Sequence, residues 1–325
     1  MSLRLAIASC AALAVVGCEP DVELIRATTI TPEADASGPR WVVEPSVTNV
    51  NLRALWGSSA SDVWAVGDAG TAIHWDGASW RAVTSGTGAN LTSVWASNPG
   101  DAWVVGANAD GTSALLRWDG SQWNLTPSPQ RGLRTSLRAV WGNLFREVWL
   151  VGVPDGMDPS AWRWDGSQWH PEFTPDMMRS QGFINVRGAG VDDLWFAAEP
   201  PSVVHRSMMS WESAVPLPRG APFEGALCAG SDRALWVASG ANAMRYAMSS
   251  WTTFPLTSLG AVRSLWCGRN GEVWAVGDAA QIARWDGSRW SVSASPRASL
   301  TAVWSASTGE TWAVGARGAV LRYVR

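Results

Sequence analysis

Two series of ionisable residues recur through this 325-residue chain at matched intervals. Acids stand at Asp62, Asp101, Glu147, Asp193, Glu272 and Glu310, each two residues before a tryptophan, with Ala234 in the one remaining equivalent place. Bases stand at His74, Arg117, Arg163, His205, Arg245, Arg284 and Arg322. Carboxylates in such numbers could serve acid–base chemistry or hold a metal. Their repetition opposite a base predicts instead one salt bridge or turn cap per repeat. The three histidines do not cluster, so the chain lacks a metal-ligand pattern. HExxH, GxSxG, CxxC and a phosphate-cradling glycine loop are absent as well. Two carboxylates brought together from distant repeats, as in a glycan-processing enzyme, leave no mark in sequence. That enzyme is the least favoured reading, and the expectation is a non-enzymatic protein with no cofactor and no metal.

Cysteine chemistry divides into two places. Cys228 and Cys267 are the only cysteines beyond residue 18. They fall at successive frame positions of neighbouring repeats, where they form either one disulfide or two inert core thiols. Cys18 follows a segment with a lone Arg4, an apolar run from Leu5 to Val16 and small residues before the cysteine, the layout of a cleaved export signal over residues 1–17. The run is too short for a spanning helix, which needs roughly 20 residues. From Glu19 to Pro39 prolines and acids replace large apolar residues, so 18–39 reads as a flexible tether with a reach of about 25 Å. The chain has no lysine and a formal charge of −3, which argues against nucleic-acid binding.

The elements that must position these residues are set by tryptophan. Trp41, Trp80, Trp123, Trp169, Trp211, Trp251 and Trp290 recur every 39 to 46 residues, and Trp64, Trp103, Trp149, Trp195, Trp236, Trp274 and Trp312 run in step with them. Both series count seven. The unit Leu52 to Val83 breaks into four short apolar segments separated by Gly, Ser, Asp and Asn. Four strands, a to d, in a 40-residue unit predict a blade of a seven-bladed all-β propeller spanning residues 40–325. The last unit supplies only three strands, and Arg40-Trp41-Val42-Val43 matches strand d. Residues 40–45 are therefore expected to complete the last blade and close the ring, removing two exposed sheet edges. Asp76-Gly77, Asp119-Gly120, Asp165-Gly166 and Asp286-Gly287 are expected in tight c-to-d turns.

Connections from a to b and from c to d keep nearly constant length, whereas those from d to a and from b to c vary, so the two propeller faces differ. The longest variable loops present Arg131, Arg134, Asp155, Asp158, Glu172, Phe173, Asp176, Met177, Met178 and Arg179, a mixture of charge and apolar surface suited to a partner. They stand equally as tolerated insertions. Blades four and five depart most from the frame, with Arg187 and Cys228 in place of tryptophan at the end of strand a.

Val15-Val16-Gly17-Cys18 resembles a bacterial lipobox, which implies acylation of Cys18. Glu19, rather than aspartate, after the cysteine implies outer-membrane residence. Residues 40–325, with units such as LWGSSASDVWAVG and WDGASW, resemble the Trp-rich propeller repeats of exported bacterial lipoproteins. A fainter likeness, in Trp and Asp-Gly spacing alone, is to tectonin-type lectins. The lipoprotein resemblance implies lipid anchoring in the outer membrane, and the expectation is a non-enzymatic propeller that serves as a binding or assembly platform for an envelope protein, with a lectin-like module for surface polysaccharide as the alternative.

Overall fold

The computed structural model describes residues 38–129, 136–143, 147–153, 160–172, 182–190, 192–207, 210–218, 223–230, 234–268, 271–297 and 299–325. The export signal, Cys18 and the tether lie outside them. Seven antiparallel sheets follow one another along the chain, each ordered a-b-c-d from the inside outward. In the first blade these are Leu52–Ser59, Asp62–Gly67, Ala72–Trp75 and Trp80–Ala82. The last blade takes strand d from the other end of the chain: Arg40–Val43 pairs with Val320–Val324, Arg40 opposite Val324 and Val43 opposite Leu321. The architecture is thus a closed seven-bladed β-propeller. Among the described residues no helix is long and apolar enough to cross a membrane.

Strand b explains why tryptophan recurs. Its tryptophan faces the next blade and enters a slot between the end of strand c and the start of strand d. Trp64 meets Trp118 and Trp123 at 5.0 and 4.9 Å, and Trp236 meets Trp285 and Trp290 at 5.3 and 5.4 Å. Trp274 meets Trp41 of the closing strand at 5.4 Å and Tyr323 at 4.9 Å, and Trp312 enters the slot of the first blade between Trp75 and Trp80. Many of these pairs are edge-to-face, the arrangement favoured by the ring quadrupole. The indole N–H groups of Trp64, Trp103, Trp149, Trp274 and Trp312 are buried without a hydrogen-bond acceptor among the described residues, so these rings act as shaped apolar volume.

A second seat lies nearer the axis. The residue ending the apolar part of strand a leans on the position one further along strand a of the next blade. Trp304 covers Gly57, Trp95 covers Gly142 and Trp141 covers Gly188, each so closely that an added Cβ would lie 2.6 Å or less from the ring. Cys228 and Cys267 occupy the same pair of positions in blades five and six. They are bonded, with Cα atoms 5.5 Å apart. Side chains also bridge blades where no sheet hydrogen bonds run: Thr301 donates to Leu52 O at 2.6 Å, and the Ser93 hydroxyl lies 3.2 Å from Val140 N.

The Asp-Gly turns form as expected. Ser79 and Ala78 donate their N–H groups to Asp76 Oδ1 at 2.9 and 3.0 Å, while Gly77 adopts φ +95°. In the sixth blade the same backbone donors, Arg289 N–H foremost, hold the Asp286 carboxyl down to about 2.

Trp64→Ala is expected to lower the unfolding free energy by about 3 to 5 kcal/mol, as for other large-to-small core changes. Trp64→Phe, which keeps a ring and strands no polar partner, is expected to cost about 1 to 2 kcal/mol. Urea titrations of the two variants check the ordering. The double change Cys228→Ser with Cys267→Ser is expected to cost about 4 kcal/mol by the chain-entropy estimate for a crosslink across 39 residues.

Candidate functional site

The seven inner strands enclose a central channel with two mouths. On the face of the variable connections it opens as a funnel of about 440 Å³. On the opposite face, among the a-to-b turns, it opens as a bowl of about 350 Å³. Trp56 and Trp266 line both cavities. These two rings belong to blades one and six, yet meet edge-on at 5.1 Å across the channel. They form the floor that the funnel and the bowl share.

The funnel wall is built by a device repeated around the ring. In six blades strand a carries a one-residue register shift at one frame position, at Arg53, Thr92, Arg138, Ile184, Arg263 and Thr301. A bulge leaves its extra residue out of the ladder and re-aims it. All six bulged residues line the funnel. One residue deeper comes a ring of small or polar groups, among them Ala54, Ser93, Asn185 and Ser264, and beneath it Leu55, Val94, Leu227 and Leu265. The cavity therefore grades from charged at the rim to apolar near the floor.

Arg187 interrupts the floor. It stands where blade one has Trp56, directly opposite Trp195 in its own sheet. Its Nη1 donates to Asn185 Oδ1 at 3.0 Å and to Val186 O at 2.9 Å, and its guanidinium carbon lies 5.8 Å from the Trp56 ring centre. Desolvation by the surrounding strands lowers its pKa to about 10, so it remains a cation at neutral pH. Arg53 and Arg263 at the rim are neutralised: Arg53 donates to Asp68, and Arg263 to Glu224 and to Asp278 at 2.7–2.8 Å.

Of the ten residues that the variable loops were expected to present, the structure describes one, Glu172. Arg131, Arg134, Asp155, Asp158, Phe173, Asp176, Met177, Met178 and Arg179 lie outside the described residues. Glu172 is described, and it is the last residue of strand d in blade three rather than a loop residue. Its carboxylate accepts from Arg163 Nε at 2.9 Å and lies 3.8 Å from the buried Arg206, so it is engaged within the fold. Neither Glu172 nor the bonded Cys228 and Cys267 line the funnel. Sequence reasoning missed the bulged arginines, although Arg53, Arg138 and Arg263 share one frame position. Arg187 was visible as a break in the tryptophan frame, without its direction.

The recurring acids and bases pair within their blades: Asp62 with His74 at 2.6 Å, Asp101 with Arg117 at 2.9 Å, Asp193 with His205 at 2.6 Å and Glu272 with Arg284 at 2.5 Å. Each such base also lies over the strand b tryptophan, as His74 does on Trp64 at 4.2 Å and Arg117 on Trp103 at 5.0 Å. The last blade differs. Arg322 donates to Glu44 at 2.6 Å, because the closing strand brings that carboxylate in, and Glu310 instead accepts from Thr308. Among the described residues no group of three or more His, Cys, Asp or Glu side chains could hold a metal ion.

No protein-family model matches the sequence, and no curated protein matches it. In fold the chain is similar to virginiamycin B lyase from Staphylococcus aureus, with a TM-score of 0.70 and 14% identity over 89% of this chain and 100% of that one. It is similar to YCF48 bound to D1 peptide, with a TM-score of 0.69 and 18% identity over 90% and 98%. The WD40 propeller domain of Doa1 gives 0.65 and 13% over 87% and 95%. At these identities the likeness defines the class, a β-propeller, a fold shared by an enzyme and by a protein solved with a peptide.

His205 gives a pH test of the blade-four cluster. Burial alone would lower its pKa, but hydrogen bonds to Asp193 and Glu212 outweigh it and raise the value above 6.5. A raised value stabilises the fold fully below about pH 6.5, and that contribution fades as pH rises through the folded-state value. The difference in melting temperature between wild type and His205→Gln is therefore expected to shrink between pH 6 and pH 8.5, as read by thermal unfolding.

Proposed function

We propose that this chain is a non-enzymatic, lipid-anchored protein of the bacterial outer membrane, whose propeller is a binding or assembly platform with its variable face toward a protein partner. One observation carries the reading: the chemistry-bearing repeats are consumed by the scaffold. All 24 tryptophans are buried or half-buried, so none stands exposed on the outer surface as a platform for a sugar. All three histidines, His74, His170 and His205, are held by carboxylates. Among the described residues, the funnel on the variable face remains open to a ligand or partner.

The position of the closing strand supports the same orientation. The chain enters the propeller at Arg40, beside Val324, at the end of the blades that carries the c-to-d turns. The funnel and the variable connections open on the opposite face of the propeller.

Mild crosslinking in the native envelope, followed by isolation of the protein, tests this. The comparison is a variant whose 127–136 and 171–181 segments are replaced by short Gly-Ser turns. Recovery of one partner protein with wild type and not with the variant is the expected outcome. Equal recovery from both would remove the loops from the interface, and loop-dependent retention of polysaccharide without protein would put the lectin reading in its place.

A further inference from the structure

We infer that the funnel is a binding site for a small carboxylate carried on an apolar body, with Arg187 at the floor receiving the carboxylate and Arg138 on the rim drawing it in. The inference deepens the reading of the variable face as the binding face, and rests on it.

The channel carries an imbalance of charge. Five arginines of this propeller that come near the core are held by carboxylates: Arg163 and Arg206 by Glu172, Arg263 by Glu224 and Asp278, Arg284 by Glu272 and Arg322 by Glu44. Arg187 has no carboxylate among the described residues. Only its Nη1 is occupied, by an amide oxygen and a backbone carbonyl, both neutral. Nε and Nη2 have no acceptor among the described residues. Arg187 is half-buried at the channel floor, a costly place for a guanidinium without a counter-charge, and its planar fork matches a carboxylate in two parallel hydrogen bonds.

The surroundings specify the rest of the ligand. Arg187 shares the floor with the rings of Trp56 and Trp266, and the wall above is Leu55, Val94 and Leu265. A cavity of about 440 Å³ with one unpaired cation and apolar walls suits a compact organic acid. The bulged Arg138 lines the mouth and forms no ion pair among the described residues, whereas the Arg53 and Arg263 charges are cancelled by their own acids. Glu199 and Glu224 at the rim disfavour ligands that carry several negative charges. A single carboxylate on an aromatic or branched aliphatic body satisfies every one of these features.

Calorimetric titration with phenylacetate, with phenylacetamide as the neutral isostere and inorganic phosphate as an anion without an apolar body, tests the site. Phenylacetate is expected to bind, the amide and phosphate to bind at least tenfold more weakly, and Arg187→Gln to lose at least tenfold in phenylacetate affinity, with part restored in Arg187→Lys. Ligand-free Arg187→Gln is expected to melt at the same temperature as wild type or higher, because the uncompensated charge is gone. No binding of phenylacetate to wild type, equal binding to Arg187→Gln, or a lower melting temperature for that variant would each overturn the inference. The Gly-Ser loop variant is expected to keep phenylacetate binding and Arg187→Gln to keep partner recovery, so failure of the carboxylate site and failure of the partner surface are separately read.

Discussion

Every blade interface depends on one wedge, the strand b tryptophan driven into the aromatic slot of the following blade. No ladder of sheet hydrogen bonds joins neighbouring blades, only scattered bonds such as Thr301 to Leu52 O and Trp56 Nε1 to Ala96 O, so contact between blades rests chiefly on shape. The wedge supplies it in the same way at interface after interface. Because the slot is built from the end of strand c and the start of strand d, any blade lacking strand d leaves its predecessor's tryptophan half covered. Trp41 therefore contributes more than a fourth strand. It completes the slot for Trp274 and so transmits the ring constraint between the two ends of the folded chain.

The departures in blades four and five follow the same geometry with different chemistry. Where other blades end strand c in an aromatic ring, blade four has Arg206, whose guanidinium lies 4.8 Å from the Trp149 ring centre, with Phe196 completing the contact. Where other interfaces seat a tryptophan on a glycine near the axis, blades five and six use the Cys228–Cys267 bond. Blade four places Arg187 at that axial position, and there the scaffold supplies no counter-charge. The sector that departs most from the repeat is thus structurally complete at its periphery and open at the channel, the arrangement expected where a rigid scaffold carries a binding site.

Much of this was legible in the sequence because period fixes position. Equal spacing of Trp64 and its counterparts puts them at one place in each blade, and the match of Arg40-Trp41-Val42-Val43 to strand d follows from counting strands. The pairing of Asp62 with His74, and its equivalents, follows from opposite charges on facing strands. What period does not carry is the outcome of contacts between residues far apart in sequence. Arg322 is taken by Glu44, the residue that follows the closing strand, and not by Glu310 of its own blade. The bulge that turns Arg53, Arg138 and Arg263 toward the channel changes register without changing the repeat length, so three arginines at one frame position read as ordinary strand residues. Glu172 read as loop because strand d of blade three runs one residue beyond His170 and Pro171, long enough for Arg163 and Arg206 to hold it.

The central claim is that the seven blades stand or fall together through a closed ring of wedges. Native-state hydrogen exchange on wild type and on a variant lacking residues 40–45 addresses it directly. Protection is expected to fall in all seven blades by a comparable factor, because opening one interface frees the whole ring. Loss confined to Leu300–Ser305, Thr311–Gly315 and Val320–Val324, with the other six blades protected as before, would contradict it.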